Sequence, residues 1–202
     1  MTNAVLHQQN DSEIESFPIS YTSEILQLFI KSLQRQRDPQ ILDVGPVCEE
    51  NIMFFAQQLK RFYVCDMFLR LDRELRSDRD PAEVWVHLDY TPSTFDGIQL
   101  WDFCDHLDDT QVRRLAELCH SMLKPEGLLM ITAFEEQTHA LRLNAFVTQI
   151  NYQVSFRHQP HLKLPWHCRH NRALMSILPG FSHIKSLQYR NGLREFLFKK
   201  NK

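Results

Sequence analysis

Glycine is scarce, five residues in 202, and no apolar run approaches the roughly 18 residues of a membrane-spanning helix. No C-x-x-C pair occurs among Cys48, Cys65, Cys104, Cys119 and Cys168. Their odd number argues for reduced thiols, and four lie in apolar or helical contexts where cysteine serves as a small buried hydrophobe. The opening residues lack a basic segment followed by an apolar stretch, so no secretory signal is read there and a cytoplasmic location is expected. Residues 1–16 read as a loose tail. Internal repeats and low-complexity tracts are missing too. What remains, 43% hydrophobic and 24% charged, is the composition of one globular domain spanning 17–202. That length buries a core without disulfides or metal.

Acidic residues are also missing, but only locally: none occurs from Gln137 to Arg194. Residues 1–136 carry 24 acidic and 12 basic side chains, a balance of −12, whereas residues 137–202 carry 1 and 11, a balance of +10. Either the two parts pack and their fields cancel, or the basic part receives an anionic ligand or partner. Within it, residues 153–172 form a basic, histidine-rich segment in which Phe156, Arg157, Lys163, Trp166, Arg169 and Arg172 are the candidate contacts for an acidic protein or a small-molecule acceptor. His158, His161, His167, Cys168 and His170 match no closed tetrahedral ligand spacing, so no metal is expected. With a net charge of −2 and no groove-reading motif, nucleic acid is not the expected partner.

The periodicity predicts a leading amphipathic helix through Ile25, Leu28, Phe29 and Leu33, with Thr22 or Ser23 as its cap. Strands are expected at Gln40–Val44, Phe62–Cys65, Val84–Leu88, Phe95–Trp101 and Leu128–Phe134. Helices intervene: one through Ile52, Phe55, Ala56 and Leu59, one over Met67–Arg76, and one capped by Asp108 or Asp109. Beyond Ala140 the pattern gives helices at Leu141–Ile150 and Arg172–Leu178, then two strands, Phe181–Tyr189 and Arg194–Lys199, about a turn at Asn191-Gly192. Alternating strands and helices imply an α/β fold, a doubly wound and mostly parallel sheet of seven strands closed by an antiparallel hairpin.

ILDVG ends the first strand, Asp66 the second and Asp89 the third; FDGIQLWDFCDHLDD, LKPEGLLMITAF and LPGFSHIKSLQYRNGLREFLFKK follow in order. This series resembles the class I S-adenosylmethionine-dependent methyltransferases along nearly the whole chain. A dinucleotide-binding domain would need glycines at 45, 47 and 50, but 47 is Val and 50 is Glu. The resemblance implies S-adenosylmethionine as cofactor, with Asp43, Gly45, Asp66, Asp89 and Trp101 around it: Asp66 toward the ribose hydroxyls, Asp89 toward the adenine amino group. Only the first glycine of the family's loop survives. Val47 and Glu49 stand at the other two positions, so weak binding is expected, Val47 crowding the backbone's approach and Glu49 adding an anion. Asn-Pro-Pro-Tyr is absent after the fourth strand, where Trp101-Asp102-Phe103-Cys104 stands. Asp102 or His106 could deprotonate an acceptor hydroxyl. The alternative is a non-catalytic descendant that uses the fold as a protein-binding module or scaffold.

Overall fold

Ser23 begins the first helix, α1 (Glu24–Leu33), by accepting the N–H of Leu26 on its side-chain oxygen at 2.9 Å. Ile25, Leu26, Phe29, Ile30 and Leu33 form the buried face, each side chain removing about 1.5–3 kcal/mol of apolar exposure. That face lies on the sheet at Gly97, where a Cβ would come within 2.7 Å of both Leu33 and Phe29. The computed structural model describes residues 20–77, 81–135, 143–190 and 192–201, so the expected 1–16 tail lies outside the described residues.

Six strands form the main sheet: β2 (Gln40–Asp43), β3 (Arg61–Val64), β4 (Phe95–Gln99), β5 (Leu123–Phe134), β8 (Phe181–Gln188) and β9 (Leu193–Lys200), in the order β3-β2-β4-β5-β9-β8. The first four are parallel, while β9 pairs antiparallel with both β5 and β8. α2 (Glu49–Gln58), α3 (Met67–Arg76) and α4 (Asp109–Met122) make the crossovers. A capping box, in which Asp108 and Gln111 satisfy each other's backbone N–H, starts α4. The closing hairpin turns at Gly192, whose φ of 75° suits a residue without Cβ. Its partner in the predicted turn, Asn191, lies outside the described residues.

Two expected elements are different. Val84–Leu88 is no third strand but part of a 3-10 helix, Pro81–Leu88, so the sheet has six strands rather than seven among the described residues. A strand would put residues 84, 86 and 88 on one face; instead Val84 and Leu88 are buried while Val86 is 65% exposed, a helical spacing. The described part of the expected Leu141–Ile150 helix is a strand, β6 (Asn144–Thr148), ending in a 3-10 turn at Ile150–Tyr152. Ala145, Phe146, Val147 and Thr148 are all buried, and a short run covered on both faces has no period to separate helix from strand.

β6 joins β7 (Gln153–His158) and β1 (Ser20–Thr22) in a second, antiparallel sheet, order β1-β7-β6. Asn51 of α2 holds it like a neighbouring strand, donating to the carbonyl of Phe146 at 2.8 Å and accepting the N–H of Thr148 at 2.7 Å. At its other end Tyr21, Ser23 and Tyr189 all donate to the buried carboxylate of Glu195 on β9. A short helix, α5 (Asn171–Ser176), precedes the hairpin.

Candidate cofactor cleft

The carboxyl ends of β2, β3, β4 and β5 are drawn together by backbone bonds: Cys65 N–H to Asp43 O, Val44 N–H to Gln99 O and Leu100 N–H to Met130 O, each 2.8–2.9 Å. Chain geometry thus assembles Asp43, Gly45, Asp66 and Trp101. Trp101 dominates. Its indole Nε1 donates to Asp43 Oδ1 at 2.7 Å, its ring stacks on Phe146 at 4.9 Å and 14°, and it is 1% exposed. Gly45 leaves room for it: a Cβ there would lie 2.4 Å from Cδ1 and 2.8 Å from Nε1 of the indole. The backbone of Trp101 is left-handed, φ 39°, a strain of about 1–3 kcal/mol for a bulky residue.

Burial pushes the Asp43 carboxyl up to about 7, against the stabilising indole N–H, and its Oδ2 is buried without a hydrogen-bond partner. Asp66 caps α3, accepting from Leu69 N–H at 2.9 Å and, through its other oxygen, from Val47 N–H at 3.4 Å. An ionised carboxylate has about four acceptor positions, so Asp66 keeps capacity for further donors. Asp89 is exposed and follows a 3-10 helix rather than a strand, which separates it from the strand-end geometry expected of it. Val47 is 63% exposed; the crowding over Gly45 comes from Trp101.

Over the adjoining strand ends runs a strap, residues 159–170, fastened on both sides. Gln159 N–H donates to Leu143 O, Arg76 to His161 O, Lys163 N–H to Asp72 and His167 N–H to Asp105 O, all at 2.7–2.8 Å. Arg169 is 7% exposed and, besides His167 O within the strap at 3.3 Å, reaches three acceptors outside it: Asp109 Oδ1 at 2.8 Å, Cys104 O at 2.8 Å and Leu107 O at 2.5 Å. Cys168, the one exposed cysteine, donates its thiol to Glu135 O at 2.7 Å.

Beneath the strap, Asp102 and His106 are 3% and 2% exposed. The carbonyl of Pro165 lies 2.8 Å from His106 Nδ1, and Asp102 Oδ2 lies 3.6 Å from Nε2, an ion-pair approach too long for a hydrogen bond. Burial disfavours a charged ring, but Asp102 and Pro165 outweigh it and raise the pKa of His106. The ring thus donates from Nδ1 to the strap's Pro165 carbonyl, while Nε2 has no hydrogen-bond partner. Trp166 packs edge-on to His106 at 5.5 Å.

The six residues expected to form one contact surface have different surroundings. Arg169 is consumed in the strap's anchorage, Arg157 is ion-paired with Glu50, and Phe156 and Trp166 are half-buried among aromatic rings. Lys163 and Arg172 are exposed. The charge division of the sequence is therefore met in part by internal pairing. Among the described residues no group of three or more His, Cys, Asp or Glu is placed to hold a metal, and no helix is long and apolar enough to cross a membrane. Asn51, Arg194 and Glu195, which organise the surroundings of the cleft, carry no sequence signal beyond their polarity inside apolar runs. For Arg194 and Glu195 that polarity in a central strand was the available clue.

A parallel sheet ending in a reversed strand pair, with a strand-end acid and glycine below a cleft, is the architecture of class I methyltransferases. The profile of the methyltransferase domain family matches residues 18–193, and the chain belongs to that family. Its fold is similar to the N-methyltransferase NodS from Bradyrhizobium japonicum WM9, at 17% identity and a TM-score of 0.53, covering 88% of this chain and 92% of that one. The same enzyme in complex with S-adenosyl-L-homocysteine gives 18% identity and 0.52, covering 88% and 85%. The 1,6-didemethyltoxoflavin-N1-methyltransferase of Burkholderia thailandensis, with its substrate and S-adenosylhomocysteine bound, gives 14% and 0.51, covering 88% and 78%. No curated protein matches the sequence.

Proposed function

We propose that this protein is an S-adenosylmethionine-binding member of the methyltransferase family whose cofactor cleft is held shut by Trp101, so that it takes the cofactor weakly. The carrying observation is the indole itself, hydrogen-bonded to Asp43 and pressed on Gly45. Asp43, Gly45 and Asp66 keep features that fit the cofactor: an unpartnered buried carboxylate oxygen, a strand end without Cβ, and a carboxylate with acceptor positions to spare. Asp66 would take the ribose hydroxyls and Asp89, as the family resemblance implies, the adenine amino group. When bound, the cofactor supplies an electrophilic methyl group, and the acceptor is a small molecule, as in the Burkholderia enzyme. His106, with Asp102 beside it and both buried beneath the strap, positions that strap through Pro165.

The strap's anchorage favours a second reading, a binding module without turnover. Calorimetry with S-adenosylmethionine and S-adenosylhomocysteine separates the two. Trp101→Ala removes the plug and its Asp43 bond, and is expected to tighten binding at least tenfold, with Asp66→Ala abolishing it in that background. Wild type binding as tightly as Trp101→Ala refutes the plug; no binding by either leaves the module.

A further inference from the structure

A groove of about 630 Å³ opens between α2 and the turn joining β6 to β7; it meets the cofactor loop at Glu49, but Asp43, Gly45, Asp66, Asp89 and Trp101 are not in its lining. Glu49, Glu50, Met53 and Phe54 line it from the helix, Thr148 and Ile150 from the turn. Its walls are fixed: Asn51 ties α2 to both ends of the Phe146–Thr148 segment, and Asn151 and Tyr152 hold left-handed conformations, φ 61° each. Yet Met53 and Ile150 stand 55% and 79% exposed, apolar surface with nothing over it among the described residues. Thr148 lines the groove, is 1% exposed, and its buried hydroxyl has no hydrogen-bond partner.

Charge selects the occupant. Glu49 is exposed and has no partner among the described residues, whereas Glu50 is held by Arg157, which keeps its carboxyl far below the usual range, at about 2. The start of α2 contributes about half a positive charge, less than the two carboxylates there supply. With Glu50 paired and the helix start offsetting only part of the Glu49 charge, a net negative charge sits at one end of a groove whose apolar wall is Met53, Phe54 and Ile150. We propose that this groove binds a small amine carried on an apolar body: ammonium against Glu49, a polar atom on Thr148, and the body across Met53, Phe54 and Ile150. An anionic ligand would be repelled by Glu49, and a wholly apolar one would make no use of the carboxylate or of the polar lining.

The test uses phenethylamine, with 2-phenylethanol and phenylacetate as neutral and anionic matches, followed by backbone NMR shifts in the wild-type protein without cofactor. Because no cofactor is present, failure here is independent of the methyltransferase reading. Phenethylamine is expected to shift the Glu49–Phe54 and Thr148–Asn151 amides, at least fivefold more tightly than the alcohol, with phenylacetate silent. Glu49→Gln, a surface change that keeps the helix, should bring amine and alcohol within twofold of each other; Thr148→Val should weaken both. Equal binding of all three probes, no shifts at these amides, or an amine preference that survives Glu49→Gln overturns the proposal.

Discussion

Replacing Arg169 by Met keeps the aliphatic stem but removes the guanidinium donors that fasten the strap to the carbonyls of Cys104 and Leu107 and to Asp109, leaving the His167 N–H bond to Asp105 O in place. Its partner Asp109 is 61% exposed and returns to water, so the lost ion pair costs little. The carbonyls of Cys104 and Leu107 are the expensive remainder, since Arg169 reaches both from a buried position. A buried acceptor left unmet costs about 1–3 kcal/mol, the case of Leu107 O, while Cys104 O keeps the Leu107 N–H at 3.4 Å and loses less, so the pair comes to about 2–4 kcal/mol. For a domain of this length each kcal/mol lowers Tm by about 2–4 °C, so Arg169→Met should melt about 5–15 °C lower. Arg169→Lys should recover less than half, because one ammonium cannot span three acceptors in the guanidinium plane. Urea denaturation gives the free energy, and acrylamide quenching of tryptophan reports whether Trp166 becomes accessible as the strap lifts. An Arg169→Met protein within about 0.5 kcal/mol of wild type would refute the anchoring role.

Burial lifts the carboxyls of Asp43 and Asp105 to about 7, while an unfolded aspartate titrates near 3.9. The folded protein therefore binds protons that the unfolded chain releases, and this contribution to stability is full below about pH 4 and lost as pH rises through about 7. Asp43→Asn should remove its share, flattening the fall in urea stability by up to about 1.4 kcal/mol per pH unit; equal slopes in the two proteins would contradict the burial argument. Gly97→Ala places a methyl 2.7 Å from Leu33 and Phe29, and should cost about 1–3 kcal/mol in a thermal or urea melt. A neutral result there would mean that α1 rides more loosely on β4 than its packing indicates.

β2, β3 and β4 were legible as short runs with Asp or Gly soon after them, β5 through its fully apolar Leu128–Phe134 part, and α4 because Asp108 and Gln111 stand at capping distance. Val84–Leu88 was not, since V-W-V-H-L alternates acceptably for a strand and only the packing of Val84 with Leu88 reveals the turn of helix. Asn144–Thr148 was missed for the opposite reason: burial on both faces erases its period. The cleft was half legible. Asp43, Gly45 and Asp66 meet as their order implied, but Trp101 gave no sign that its ring would fold back onto Gly45, because that depends on Phe146 arriving from a second sheet. The cationic residues of the strap looked like a surface; that Arg169 is spent on backbone carbonyls follows from loop geometry, which composition does not encode.

β9 lies inside the sheet, between β5 and β8, although it follows both in the chain. During synthesis, β5 must wait with one long apolar edge bare until some 60 further residues have emerged, from Phe134 to Leu193. Such an edge is a template for any neighbouring strand. A nascent or truncated chain ending before Leu193 would also carry the acidic part's charge without the buried Arg194 and without the acceptor for Tyr21, Ser23 and Tyr189. Vectorial folding is thus of little use to this molecule: its two sheets are locked to each other by a residue delivered late, and the chain closes as a whole or leaves its central strand open to other chains.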